Sequence, residues 1–352
     1  MDEGFFMKAM GEVGLPVLVF DENTPPPPKP EAPSPFLPGT NIQFAWDSTS
    51  LGYFKTCPRL YQYQMIEGWQ PKGENIHLRY GIEYHKALED YEDLRASLGS
   101  SHDNAVKDTI QMLLERIHDW DPDPNLKKRS EAIKSKESLV RTVIWYLDQF
   151  ENDPAQTVTL QNGKPAMEVS FRFELEYGPR GLEAYQMQDE LLGSQPYLLC
   201  GHLDRLVTFQ DQLFVMDRKT TTTTPSEFYF NQYEPHNQMT LYTLASQVIF
   251  EQPIRGVIID VAQIAVGFSR FVRGITYRTP DQITEWLQDL RYHLGQAERY
   301  ATEGYWPQND TACDKFGGCK FREICSKSPQ VREAFLKSNF EKAEPWNPLK
   351  VR

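Results

Sequence analysis

PAMEVSFRFELEY (165–177) alternates apolar and polar residues with a period of two, which predicts a β-strand. YLLCGHLDRLVTF (197–209) and QLFVMDRKT (212–220) read as strands too, separated only by a tight turn at Gln210-Asp211-Gln212. RGVIIDVAQIAVGF (255–268) and RFVRGITY (270–277) read as two further strands. Elsewhere the period is helical. DSTSLGYFKTCPRLYQYQMI (47–66) predicts one helix with Ser48 or Thr49 as its cap, and 77–98, 103–119 and 130–151 predict three more. The segment from Pro235 to Phe250 predicts another, and TPDQITEWLQDLRYHLGQAERYATEG (279–304) an amphipathic helix with a Thr-Pro start and a glycine stop. Helices, an antiparallel strand group, a helix, strands and a helix together predict an α/β fold, a central mixed β-sheet flanked by helices.

Composition sharpens this picture. The chain has 352 residues, 40% hydrophobic and 12% aromatic, enough to bury a substantial core. Residues 22–38, ENTPPPPKPEAPSPFLP, are proline-rich, which predicts an extended linker over 22–41 between an N-terminal extension (1–21, with GLPVLVF as a strand) and a main domain from 42 to 352. Within that domain, residues 100–152 read as a helical insertion and 305–330 as a Cys-rich tail. The net charge of −12 excludes a wholly basic nucleic-acid coat but not an enzyme with local basic patches. LKKRSEAIKSKESLVR (126–141) is one such run, and a solvated helix face explains it equally. The start, Met-Asp-Glu, has no basic flank before an apolar stretch, and no apolar run approaches a membrane span. The expectation is a cytoplasmic protein.

The chemistry concentrates in LLCGHLDRLVTFQDQLFVMDRKTTTTTP (198–225). Asp217 and Lys219 are two residues apart on one strand and so share a face. Asp204, on the preceding strand, can reach the same end of the sheet. Strand interiors are poor in Asp and Lys, so the trio needs a reason. A surface hairpin with a salt bridge is one. A divalent-metal site is the other, because Mg²⁺ takes oxygen ligands, often one or two carboxylates plus substrate phosphate. Thr220 extends the strand, Pro225 ends it, and the threonines between read as a connector.

Gly81-x-x-x-His85 on a helix, and Gln238 with Tyr242 four residues apart on another, add candidate ligands and phosphate contacts. GIEYH, GHLDR, DRK and QMTLY, in that order and after FKTCPRLYQYQ, resemble the PD-(D/E)XK nuclease superfamily, and within it the RecB-like nucleases and the CRISPR-associated iron–sulfur exonucleases. The resemblance runs from about Ser48 to Cys325. It implies a restriction-endonuclease-like core in which His85, Asp204, Asp217 and the carbonyl of Arg218 hold Mg²⁺ or Mn²⁺. Lys219 is then the catalytic lysine, and Gln238 and Tyr242 contact DNA near the cleaved phosphate. Glu168 matches a frequent family glutamate, though a structural strand residue explains it as well.

Cys313, Cys319 and Cys325 follow a C-x(5)-C-x(5)-C spacing, and Cys57 lies in KTCPRL far upstream. Four cysteines suit a zinc site or a 4Fe–4S cluster, and the close C-x(2–4)-C pairs usual for zinc are absent. The resemblance implies the cluster, since iron–sulfur relatives place one cysteine before the nuclease core and three after it. Those relatives more often have two residues between the first pair of the three. Cys200 is left over as a buried strand residue.

The expected activity is metal-dependent DNA cleavage, as an exonuclease on ends or single strands. The alternatives are a non-cleaving nucleic-acid-binding or scaffold subunit, and a zinc protein with an acidic surface hairpin. The acidic net charge leaves room for a helicase, an annealing protein or an integration-complex protein as partner. A compact nuclease of this kind suits a virus or a prokaryote.

Overall fold

Asp47 sits where the first helix needs an acceptor. Its carboxylate accepts from Ser50 N at 2.8 Å, and Ser50 Oγ accepts from Asp47 N at 3.1 Å, a reciprocal cap for α1 (Ser48–Thr56). The expected cap at Ser48 or Thr49 is therefore one residue or more too late. The expected single helix also breaks. Pro58 disfavours helical torsions in the residue before it; Cys57 is extended (φ −165°, ψ 118°) and α2 (Pro58–Tyr61) starts afresh, leading into a π turn over Gln62–Ile66.

The structure, a computed structural model, describes residues 8–9, 33–120, 132–179, 195–314 and 318–350. The expected strand in GLPVLVF, most of the proline-rich stretch and residues 126–131 of the basic run lie outside them. Leu37 and Ile42, each 2% exposed, already belong to a small buried cluster. In chain order the strands are β1 (Lys8–Ala9), β2 (Ala45–Trp46), β3 (Trp69–Pro71), β4 (Gln156–Thr157), β5 (Met167–Glu174), β6 (Leu198–Phe209), β7 (Gln212–Thr221), β8 (Ile254–Ala265), β9 (Phe268–Thr276) and β10 (Phe340–Lys342). The remaining helices are α3 (Ile76–Ala96), α4 (His102–Arg116), α5 (Lys136–Gln149), α6 (Glu227–Asn231), α7 (Asn237–Phe250), α8 (Pro280–Glu303), α9 (Arg322–Cys325) and α10 (Pro329–Asn339).

The chain divides into two compact units. The first comprises 1–72, 170–201 and 284–352. There β2 runs parallel to the start of β6, with Ala45 opposite Leu198, and β3 pairs with β10. Tyr63, Trp69, Phe321, Ile324, Leu336 and Phe340 form a buried cluster against which Cys319 and Cys325 pack.

The second unit comprises 73–169 and 202–283. β6 and β7 are antiparallel, joined by Gln210 and Asp211 with φ of +51° and +58°, the pair of left-handed torsions that matches strand twist in a two-residue hairpin. β7 and β8 are parallel, and β8 and β9 antiparallel. The sheet is thus mixed. β8 is buried at ten of its twelve positions, as expected of a strand covered on both faces. Tyr80, Tyr84 and Leu88 of α3, Leu113 of α4, and Leu139 and Val143 of α5 pack with Ala262 and Ile264 of β8 into one core. α7 packs on β7 and β8. The predicted architecture, a mixed sheet flanked by helices, is the one found.

Candidate active site

Pairing of Arg205 with Met216 across the β6–β7 hairpin, continued by one step, sets Asp204 opposite Asp217. Like charges facing each other across a ladder destabilise it, so the arrangement has a cost that packing alone does not repay. Asp217 is fully buried. Lys219, two residues on and on the same face, donates to Asp217 Oδ1 at 2.9 Å, with Oδ2 at 2.8 Å. Asp217 Oδ2 nevertheless accepts no well-formed hydrogen bond. Asp204 Oδ2 accepts from the amide of Arg218 at 3.0 Å.

The Arg218 side chain, one residue out of phase, stands on the other face of β7. Its guanidinium lies 5.9 Å from the Tyr146 ring centroid and 3.9 Å from Glu92. Arg205, Asp153, Arg273 and Asp260 form a further run of ion pairs in the same unit. These buried charges are mutually paired and serve the fold.

α3 brings His85 to the hairpin. His85 Nε2 is 3.0 Å from the carbonyl of Arg218 and Nδ1 is 3.4 Å from Asp204 Oδ2. With the proton on Nε2, the ring donates to that carbonyl and turns the Nδ1 lone pair toward Asp204, the orientation a metal-ligating imidazole needs. Gly81, one turn before His85, keeps α3 close: a Cβ there would lie 4.0 Å from Thr220 Oγ1. The Arg218 carbonyl, expected as a metal ligand, is engaged by His85.

Glu168 completes the group. Its carboxylate, His85 and Asp204 offer ligand atoms that all lie within 4.8 Å of one another. Glu168 has φ +46°, a left-handed torsion that a non-glycine residue adopts at a cost and that concentrates at functional sites. The structure therefore joins His85 and Asp204 as expected, and brings in Glu168 as the third donor where Asp217 was expected. One nitrogen and two carboxylate groups suit a hard divalent cation.

Burial dominates the electrostatics. It raises the Asp217 carboxyl well above the ordinary range, with Asp204 adding to the effect and Lys219 opposing it. Burial works against the Lys219 ammonium, yet Asp217 and Asp204 together hold its pKa above the usual lysine value. His85 is lowered by burial despite Asp204.

Gln238 and Tyr242 share one face of α7. Lys219 Nζ donates to Gln238 Oε1 at 3.1 Å, and Gln238 Nε2 donates to the Tyr242 hydroxyl at 2.9 Å. The oxygen end of the Gln238 amide thus holds Lys219, and the nitrogen end is held by Tyr242. The threonine run divides at the end of β7. Thr220 accepts from Lys134 Nζ at 3.1 Å, Thr221 accepts from Thr223 N at 3.0 Å, and Thr224 accepts from Gln263 at 3.2 Å.

In the first unit, Cys57, Cys313, Cys319 and Cys325 line one cavity of about 60 Å³ with Leu60, Ala312 and Phe321. No described cysteine forms a disulfide. Asn309 ties the two chain segments together, donating from N to Cys57 Sγ at 3.3 Å and from Nδ2 to Thr56 O at 2.9 Å. Cys200 lies elsewhere, 1% exposed in β6, its thiol pushed up to about 12 by burial.

No curated protein matches the sequence. Among solved structures, a proposed exonuclease from Eubacterium rectale is similar at 9% identity and a TM-score of 0.44, covering 81% of this chain and 89% of its own. The protein SSO0001 is similar at 11% identity and a TM-score of 0.30, covering 81% of this chain and 87% of its own. Among the described residues, no helix is long and apolar enough to cross a membrane. The profile of the PD-(D/E)XK nuclease superfamily matches residues 47–326, a span that contains the hairpin carboxylates, His85, Lys219 and all four clustered cysteines, and on that match the chain belongs to this superfamily.

Proposed function

We propose that the protein is a Mg²⁺- or Mn²⁺-dependent deoxyribonuclease acting as an exonuclease on DNA ends or single strands. The observation that carries this is the convergence of His85, Glu168 and Asp204 beside the buried Asp217–Lys219 pair. His85, Glu168 and Asp204 would hold the ion, and Asp217, paired with Lys219 through both oxygens, stands opposite Asp204 on the neighbouring strand. A divalent ion supplies Lewis-acid polarisation of the phosphodiester and acidifies a water nucleophile. The chain's own residues do the positioning. Asp217 and Gln238 fix the Lys219 ammonium from two sides, so it can orient the attacking water and face the charge that grows on phosphate. Tyr242 locks the Gln238 amide in the rotamer that accepts from Lys219. Preference for ends over internal sites rests on the resemblance to the RecB-like and CRISPR-associated exonucleases alone.

The four thiols would hold a 4Fe–4S cluster that ties the C-terminal segment to α1 and α2. Soft thiolates select iron–sulfur or zinc. The four line one cavity, and the close C-x(2–4)-C pairs usual for zinc are absent, which favours the cluster.

Cleavage of 5′- and 3′-end-labelled single- and double-stranded DNA with Mn²⁺ tests the activity. Progressive shortening from an end is expected. Binding without any cleavage across Mg²⁺ and Mn²⁺ titrations would instead establish the scaffold alternative. Iron and sulfide analysis of anaerobically purified protein tests the cluster, and a colourless protein with one zinc per chain would overturn it.

A further inference from the structure

Within the first unit a cavity of about 400 Å³ opens between the segment after β5 and α8. Its walls are aromatic. Tyr177 and Tyr197 meet edge to face with ring centroids 5.8 Å apart, and the Arg291 guanidinium lies 5.1 Å from the Tyr177 centroid. Gln288, Arg291, Tyr292 and Gly295 recur at i, i+3, i+4 and i+7 along α8, so they form one face. Tyr292 is 72% exposed.

Two features mark this as a built site. Gly295 sits in the interior of α8, where glycine weakens a helix relative to alanine. A Cβ at Gly295 would meet no atom within 4 Å, so the glycine is not required by a tight contact and the cavity floor is open there. The Tyr177 hydroxyl is shielded from solvent yet has no hydrogen-bond partner among the described residues. The Tyr197 hydroxyl, by contrast, is used, donating to Glu298 at 3.0 Å.

We propose that this cavity receives one unstacked nucleobase of a bound single strand, lying against Tyr177 and Tyr292 with Arg291 and edged by Gln288. This rests on the nuclease reading, which makes a single-stranded end the ligand. Bases stack on aromatic and guanidinium planes without regard to sequence. The Gln288 amide can both donate and accept, so it can meet any base edge. The cavity therefore grips a strand of any sequence, as an enzyme that advances along DNA requires.

The test is photocrosslinking of the full chain to an oligodeoxynucleotide carrying 5-iodouracil, in EDTA so that nothing is cleaved, with affinity read by fluorescence anisotropy. Crosslinks should map to Tyr177 or Tyr292. Gly295→Phe, which fills the floor, should abolish them and weaken binding about tenfold, the scale of one lost stacked base. Gly295→Ala should keep both. Should the phenylalanine variant misfold, Arg291→Ala with Tyr292→Ala, at two exposed positions, should weaken binding by a similar factor and abolish the crosslink at Tyr177. Crosslinks only at other residues, or unchanged affinity in the filled variant, would overturn the proposal, as would binding of thymidine monophosphate without binding of the oligonucleotide. A cleavage-dead wild type that still crosslinks at Tyr177 would leave the pocket standing while the nuclease reading fails.

Discussion

Lys134 gives a prediction whose size can be worked from the structure. It is 3% exposed, its ammonium lies 5.1 Å from the Tyr80 ring centroid, and it donates to Thr220 Oγ1. Burial lowers its pKa from the ordinary 10.5 to about 8. A shift of that size corresponds to roughly 3 kcal/mol of cost for keeping the ammonium charged. Lys134→Met keeps the stem and removes the charge. It forfeits one hydrogen bond, worth about 1 kcal/mol, so the variant should be about 2 kcal/mol more stable at pH 7. The pH dependence has a definite sign. Between pH 8 and 10.5 the unfolded chain holds the proton that the folded chain has released, so the wild type gains stability as pH rises through that window. The methionine variant has no such term, and by pH 10.5 its advantage should have turned into a deficit of about 1 kcal/mol, the lost hydrogen bond. The assay is urea denaturation of both proteins at pH 7 and pH 10.5. A variant less stable than wild type at pH 7, or a gap that does not change with pH, would refute the reasoning.

Glu168→Ala should weaken Mn²⁺ binding by about tenfold or more, the scale of losing support at a metal centre, as measured by calorimetry without DNA; unchanged affinity would remove Glu168 from the site. Glu168→Gly should lose the same affinity yet hold its φ of +46° without strain, ending roughly 1 kcal/mol or more stable than the alanine variant. Cys319→Ser should reduce iron per chain and lower the melting temperature of the first unit, because Cys319 packs against its buried aromatic cluster; full iron content in the variant would exclude it as a ligand.

The hairpin chemistry was legible because side chains along a strand point to alternate faces. A period of two put Asp217 and Lys219 on one face and turned Arg218 away from them, and the structure shows both. Glu168 was harder. In MEVSF it looks like any polar strand residue, and its match to a frequent glutamate of the resembled family left a structural role equally open; its left-handed torsion is one that no residue type announces. Gln238 and Tyr242 were placed together by helical spacing, but their engagement with Lys219 depends on how α7 lies on β7. The break at Cys57 follows from Pro58, a local rule outweighed in the sequence reading by the longer helical pattern. The cysteine spacing identified four ligand candidates, while the cavity they share depends on packing of segments 256 residues apart.

The central claim is that the convergence around β6 and β7 is a nuclease centre worked by Lys219. It is tested most directly by single-turnover cleavage of labelled DNA with Mn²⁺, comparing wild type with Lys219→Ala and Asp204→Ala, with circular dichroism confirming that each is folded. The account predicts cleavage by the wild type and none by either folded variant. A folded Lys219→Ala protein that cuts at the wild-type rate would contradict it.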